Sequence, residues 1–164
     1  MNRAGNRIVA LGLAVGLGLL TSPAWAQDLK LTGPDGRTVT LAPADLAALP
    51  HVTLTVQIEG KTNVYDGVPL IRLLERVGAP SGKSLAGPAM RDIVIVTASD
   101  GYAAALALAE ADPGFRKDQI LLADRADGHA LGENLGPYRL VVQDDLRGAR
   151  DVRMVTAIEV RTVR

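Results

Sequence analysis

Apolar and polar positions change period several times along this chain, and each change predicts an element. The strictest alternation runs from His51 to Glu59, where Val52, Leu54, Val56 and Ile58 fall between Thr53, Thr55, Gln57 and Glu59. A period of two sends the first set to a core face and the second to the opposite face, so this segment predicts a strand. The next segment changes spacing: Leu70, Leu73, Leu74 and Val77 stand at i, i+3, i+4 and i+7. That places one apolar stripe along a helix, and Gly78 supplies its C-terminal stop.

The other elements are shorter. Leu29–Leu31 and Arg37–Leu41 flank Gly33-Pro34-Asp35-Gly36, a turn sequence, and predict a hairpin. Pro43 to Leu49 predicts a short helix with proline in its first turn. Ile93-Val94-Ile95-Val96 is continuously apolar, which predicts a strand covered on both faces. Asp100-Gly101 predicts a tight turn, after which Ala103–Leu108 returns as a strand ending in a helical turn through Glu110. Ile120–Ala123 predicts a short strand before the Asp127-Gly128 turn. Tyr138–Val142 predicts an inner strand, and Met154 to Val163 the last one, with Ile158 and Val160 inward. Most elements are strands, so the fold class expected is α+β, mainly β.

The first 26 residues follow another logic. Arg3 and Arg7 give a positive start, Ile8 to Leu20 is an unbroken apolar run, and Ala24-Trp25-Ala26 is an A-x-A site. This pattern predicts a secretory signal peptide over residues 1–26, cleaved before Gln27, and therefore a periplasmic location. The run is shorter than the roughly 20 residues that span a bilayer, and no later stretch is longer, so no membrane anchor is expected after cleavage. Residues 27–164 are then about the size of one domain and can bury a core without disulfides or a structural metal.

The chain holds 18 basic and 18 acidic residues with no basic block, so nucleic acid is not an expected partner, because phosphate binding needs clustered Lys and Arg. Cysteine is absent, so an oxidising compartment puts no constraint on folding, and cysteine nucleophiles are excluded. His51 and His129 stand far apart, with no carboxylate at ligand spacing beside either, and predict no metal site. Asp124, Asp127 and Gly128 do not follow a calcium-loop pattern and predict a solvated turn. Gly78 to Ser84 resembles a phosphate-binding loop, but it has one residue too few between its glycines and follows a helix instead of a strand. No Gly-x-Ser-x-Gly elbow points to hydrolysis.

Three short motifs carry the remaining signal: Tyr65-Asp66-Gly67-Val68-Pro69-Leu70, Ser99-Asp100-Gly101-Tyr102, and Gly136-Pro137-Tyr138-Arg139-Leu140-Val141-Val142. In this order and spacing the chain, from about Thr40 to Val163, resembles the oxidoreductase molybdopterin-binding domain, the fold of the sulfite oxidase family. The resemblance implies redox chemistry on a molybdenum cofactor held by one cysteine thiolate, on the strand before the Gly-x-Pro-Leu helix start. Matching that strand puts Gln57 at the thiolate position, and Leu135 stands where sulfite oxidases often carry a histidine. A neutral amide is a poor replacement for soft anionic sulfur. The cofactor-binding residues that the resemblance implies are Gln57, Tyr102 and Arg139, with Arg139 as an anion contact because its planar fork suits phosphate or carboxylate. Arg139 and Tyr102 also have plain structural roles open to them: Arg139 as a surface residue on an inner strand that satisfies a nearby carboxylate or carbonyls, and Tyr102 as a strand residue that packs its ring after the hairpin turn.

The expectation is therefore an exported protein of this fold that binds a small anionic ligand or a periplasmic redox protein and is not a self-sufficient enzyme. Two other readings stay open: a molybdopterin-dependent oxidoreductase with a cysteine-free metal site, and an accessory subunit of a periplasmic redox complex.

Overall fold

Among the described residues, the first and last strands lie side by side and parallel, which joins the two halves of one of two five-stranded sheets. The computed structural model describes residues 27–58 and 60–164; the expected signal peptide at 1–26, and Glu59, lie outside the described residues. Sheet I has the order β2 (Thr38–Leu41), β1 (Leu29–Thr32), β10 (Val155–Thr162), β5 (Asp92–Ala98), β6 (Ala103–Ala107). Only the β1–β10 pair, with Leu31 opposite Ile158, is parallel. The expected N-terminal hairpin is β1–β2, with Gly36 at φ 84° in its turn.

Sheet II is antiparallel. It runs from β3 (Val52–Ile58) to β4 (Lys61–Pro69) to β7 (Ile120–Ala126). The far edge of β7 is shared by β9 (Arg139–Val142), paired along Ile120–Ala123, and by the short β8 (His129–Ala130) after the Asp127-Gly128 turn. Both turn residues take positive φ, 51° and 79°, as the motif predicts.

The main core lies between the sheets. Leu29, Leu31, Val94, Val96, Ile158 and Val160 come from sheet I, and Val68, Leu122, Leu140 and Val142 from sheet II. Helix α1 (Pro43–Ala47) adds Leu46. Helix α2 (Leu70–Glu75) adds the predicted stripe, with Leu70, Leu73, Leu74 and Val77 all fully buried. Gly78 at φ 81° stops α2, and the Ala79 N–H returns to the Leu74 carbonyl at 3.1 Å.

Three expectations change. The periodicity gives no hint of β4 as a full nine-residue strand, because its Asp66-Gly67 pair reads as a turn. In the sheet Gly67 is needed for a different reason: a Cβ there would collide with the Leu122 carbonyl oxygen and the backbone of Ala123. The β4–β7 register also shifts between Asp66 and Gly67. Next, β5 is buried on one face only, with Asp92, Val94, Val96 and Ala98 inside and Ile93, Ile95 and Thr97 half-exposed, since the core covers only the inner face of sheet I. Finally, Leu54 and Val56 are buried, but against a second cluster with Tyr65, Leu121, Ala123 and Val141 on the opposite face of sheet II. No described helix is long and apolar enough to cross a membrane.

Candidate functional site

Alternation along β9 decides where Arg139 goes. Leu140 and Val142 point into the main core. Arg139 and Val141 therefore point to the other face, where Val141 joins the second cluster. Arg139 opposes Ala123 on β7, and its guanidinium lies over the Tyr65 ring, 5.3 Å from the centroid. Cation–π attraction of this kind strengthens as water is excluded, and here Arg139 is only 8% exposed. A buried arginine needs a counter-charge. Arg139 Nη2 donates to Asp151 Oδ2 at 3.3 Å, and Asp151 Oδ1 accepts the Val142 N–H at 2.9 Å. Arg139 Nε is buried with no partner among the described residues.

Burial pushes the Asp151 carboxyl above its ordinary value, although the Val142 N–H and Arg139 both pull it down. Desolvation thus outweighs the attraction of the pair, as it does for many buried ion pairs. Burial also raises the Tyr65 hydroxyl, against the pull of Arg139 and Arg153.

Asp151 connects this pair to Tyr102. A cavity of about 300 Å³ is lined by Asp100, Tyr102, Asn134, Asp151 and Arg153, with Ala98 at its wall. Tyr102 follows the Asp100-Gly101 turn, where its N–H donates to Asp100 Oδ1 at 2.9 Å. Its ring is 50% exposed, and its hydroxyl donates to the Ala149 carbonyl at 2.6 Å. The loop bearing Ala149 and Asp151 is fastened by Arg150, which donates to Asp145 at 2.6 and 2.8 Å and to Glu110 at 2.9 Å. Burial would raise the Glu110 carboxyl, but bonds from Arg150 and the Ala107 N–H outweigh it and hold that carboxyl low.

Of the three residues the motifs single out, Tyr102 and Arg139 approach a common place through Asp151. Gln57 does not line that cavity. It sits on the exposed face of β3 with Thr53 and Thr55, opposite Thr62 near the hairpin tip, on the polar side that alternation predicts. Sequence reasoning passes over Asp151 and Arg153, because nothing in their local pattern marks them, and it names Tyr65 only as the first residue of a motif.

It also separates His51 from Asp124, which the fold brings together across 73 positions. His51 Nε2 lies 3.1 Å from Asp124 Oδ2, and Nδ1 lies 2.7 Å from the Leu49 carbonyl oxygen. They line a second cavity of about 410 Å³ with Thr53, Asp66 and Arg125. Asp124 Oδ1 and the Tyr138 hydroxyl are buried without partners among the described residues. Burial, followed by the nearby Asp124 and Asp28 charges, pushes that hydroxyl up to about 12. Both nitrogens of His51 face acceptors, so the ring ties the start of β3 to β7.

A sequence profile described as the oxidoreductase molybdopterin binding domain matches residues 21–164. The fold is similar to the crystal structure of the sulfane dehydrogenase SoxCD from Paracoccus pantotrophus, with a TM-score of 0.64 and 22% identity. That similarity covers 82% of this chain and 38% of the SoxCD chain, so this protein spans well under half of its structural relative. No curated protein sequence matches the chain.

The donor set here does not fit a molybdenum centre held by a protein thiolate. The chain has no cysteine, and Gln57, which the sequence resemblance would put at the thiolate position, is an exposed amide. The described residues hold no group of three or more His, Cys, Asp or Glu placed for a metal. Arg139, the residue best suited to an anionic group on the cofactor, already faces Asp151.

Proposed function

Since the chain belongs to the oxidoreductase molybdopterin-binding domain family, we propose that it is an exported binding domain of that fold, which takes a small anionic ligand beside Arg139 and is not a self-sufficient enzyme. The observation that carries this reading is the orphaned Nε of Arg139. An unmade hydrogen bond on a buried donor costs about 1–3 kcal/mol, and more on a charged group. Arg139 itself stands behind Asp151 and does not line the cavity, so a ligand oxygen relieves that cost only by reaching past the Asp151 carboxylate. Arg139 and Asp151 cancel, and exposed Arg153 is the cation on the wall of the cavity, where it shares the lining with Asp100. Asn134 and the Tyr102 hydroxyl add polar groups at a mouth that admits a small carboxylate or oxyanion. No redox step is assigned to the chain's own residues, so electron transfer, if the protein serves it, belongs to a periplasmic partner. The similar fold of a dehydrogenase supports such a redox setting.

Calorimetric titration of the purified protein with inorganic phosphate, sulfite and acetate tests the reading. The expected result is saturable binding of at least one of them, weakened about tenfold by Arg153→Ala, the equivalent of about 1.4 kcal/mol. If none of the three binds saturably, the anionic-ligand assignment is wrong. Metal and pterin analysis of protein made in a host that synthesises the cofactor addresses the other half. Near-stoichiometric molybdenum and pterin would overturn the claim that this is not a self-sufficient enzyme.

A further inference from the structure

Among the described residues, sheet II leaves one long edge open. β3 is its outermost strand, and β4 occupies only one side of it. The register shows which backbone groups face outward. Thr55 stands opposite Val64. Val64 turns both backbone groups the other way, its N–H to Asp127 Oδ1 at 3.0 Å and its carbonyl to the Asp127 N–H at 2.7 Å. Thr55 and Val64 are therefore a non-bonded pair. By antiparallel alternation, the N–H and C=O of Thr53, Thr55 and Gln57 point away from β4. No described residue bonds these groups.

Exposed edge strands are usually blunted by charge, proline, a bulge or short length. The edges of sheet I, β2 and β6, are only four and five residues long. β3 has seven residues, Val-Thr-Leu-Thr-Val-Gln-Ile, with no ionisable group and no proline. Its pairing with β4 runs in unbroken register over all seven.

We propose that β3 pairs antiparallel with β3 of a second copy of this chain, about a two-fold axis at Thr55. The strand is self-complementary in that register. Thr55 meets Thr55 of the second copy, Thr53 meets Gln57, and Leu54 meets Val56. Each of the three outward residues offers one N–H and one C=O, and this register satisfies all of them; sliding by two residues leaves an end unpaired. Thr53, Thr55 and Gln57 are exposed and neutral, so no like charges meet across the axis. On the other face Leu54 and Val56 are already buried within each copy, so the pairing rests on the backbone hydrogen bonds and the neutral outward side chains. A neutral strand that matches itself in charge and register suits its own copy better than a charged foreign strand. Seven residues make an edge about 24 Å long. Such an interface is small, so the dimer is transient, with a dissociation constant of about micromolar or weaker.

The absence of cysteine makes the test clean. In a hydrogen-bonded antiparallel pair the Cα atoms lie about 5.5 Å apart, within disulfide range, so Thr55→Cys is expected to form a covalent dimer under mild oxidation. Thr53→Cys is expected not to, because the two copies of residue 53 lie about 14 Å apart in this register. Sedimentation of the parent protein up to about 200 µM is expected to show a monomer–dimer equilibrium, which Thr55→Lys shifts about tenfold toward monomer by opposing like charges. Residue 55 is exposed, and circular dichroism verifies that its variants keep the fold. A parent that stays monomeric, a Thr55→Lys variant that dimerises like the parent, or equal cross-linking by the two cysteine variants would overturn the proposal.

Discussion

Arg139→Met removes the charge facing Asp151 while keeping a long apolar stem over Tyr65. Asp151 is then left with a 1% exposed side chain and a single donor, the Val142 N–H. Removing one partner of a buried pair costs about 3–5 kcal/mol, because the other charge stays buried and uncompensated. The remaining Val142 bond puts this case at the lower end, about 3 kcal/mol at pH 7, or roughly 10 °C in Tm for a domain of this size. The pH dependence gives the sharper test. Asp151 is already raised above 3.8 in the folded protein, chiefly by burial, so the folded state holds that proton more tightly than the unfolded state does. The stability linked to this group therefore falls as pH rises through the folded value and returns on acidification toward 3.8. Arg139 is one of the groups that pull the carboxyl down, and without it the folded value climbs further. The variant thus recovers more than the parent as pH falls, and the gap between them narrows. Urea unfolding followed by circular dichroism from pH 7 to pH 4 measures the gap. A difference under about 1 kcal/mol at pH 7, or one that stays constant with pH, refutes the account. The double variant Arg139→Met/Asp151→Leu is expected to lie closer to the parent than Arg139→Met does, since apolar replacement of a whole buried pair is often neutral.

Gly67→Ala drives a Cβ into the Leu122 carbonyl and the Ala123 backbone, neither of which can rotate aside; a loss of about 1–3 kcal/mol or more is expected in thermal melts, and an unchanged Tm would show that the β4–β7 spacing relaxes freely. Leu73→Ala empties a fully buried position on α2 and is expected to cost about 2–5 kcal/mol in urea unfolding with the slope unchanged. Tyr102→Phe deletes the bond to the Ala149 carbonyl, and because the ring is half-exposed the expected loss is at most about 1 kcal/mol; a larger loss would mean that the hydroxyl holds the whole loop.

Sequence periodicity reveals elements whose side chains face one core and hides those shaped by contacts at a distance. The α2 stripe is legible because a helix repeats its buried face within seven residues, and Leu70, Leu73, Leu74 and Val77 all land there. The alternation in β3 is equally legible, yet it could not say which of two cores receives Leu54 and Val56. β4 stays hidden because Gly67 answers to β7, more than fifty residues away, and its Asp66-Gly67 pair mimics a turn. The site follows the same rule. Arg139 and Tyr102 sit in motifs with local punctuation, whereas Asp151 lies in a polar loop without periodicity and meets Arg139 only after β9 and that loop have folded. His51 and Asp124 carry no mutual signal at all until β3 and β7 join one sheet.

Position 57, which the sequence resemblance matches to a metal ligand, and the fold depend on different residues. The core runs through α2 and the facing sides of the two sheets, while Gln57 lies on the exposed face of an edge strand. A side chain there can change without opening a cavity or stranding a buried polar group. Gln57→Cys is therefore expected to leave stability within about 0.5 kcal/mol of the parent, as surface substitutions generally do. Urea unfolding under reducing conditions checks this. A loss above about 1 kcal/mol would mean that the Gln57 amide makes an interaction the fold depends on, and the separation of ligand position from core would fail. If stability holds, the thiol on β3 still stands apart from Arg139, whose charge Asp151 already neutralises. A cysteine at position 57 alone then supplies a thiol and leaves the electrostatics of the cavity beside Asp151 as they are.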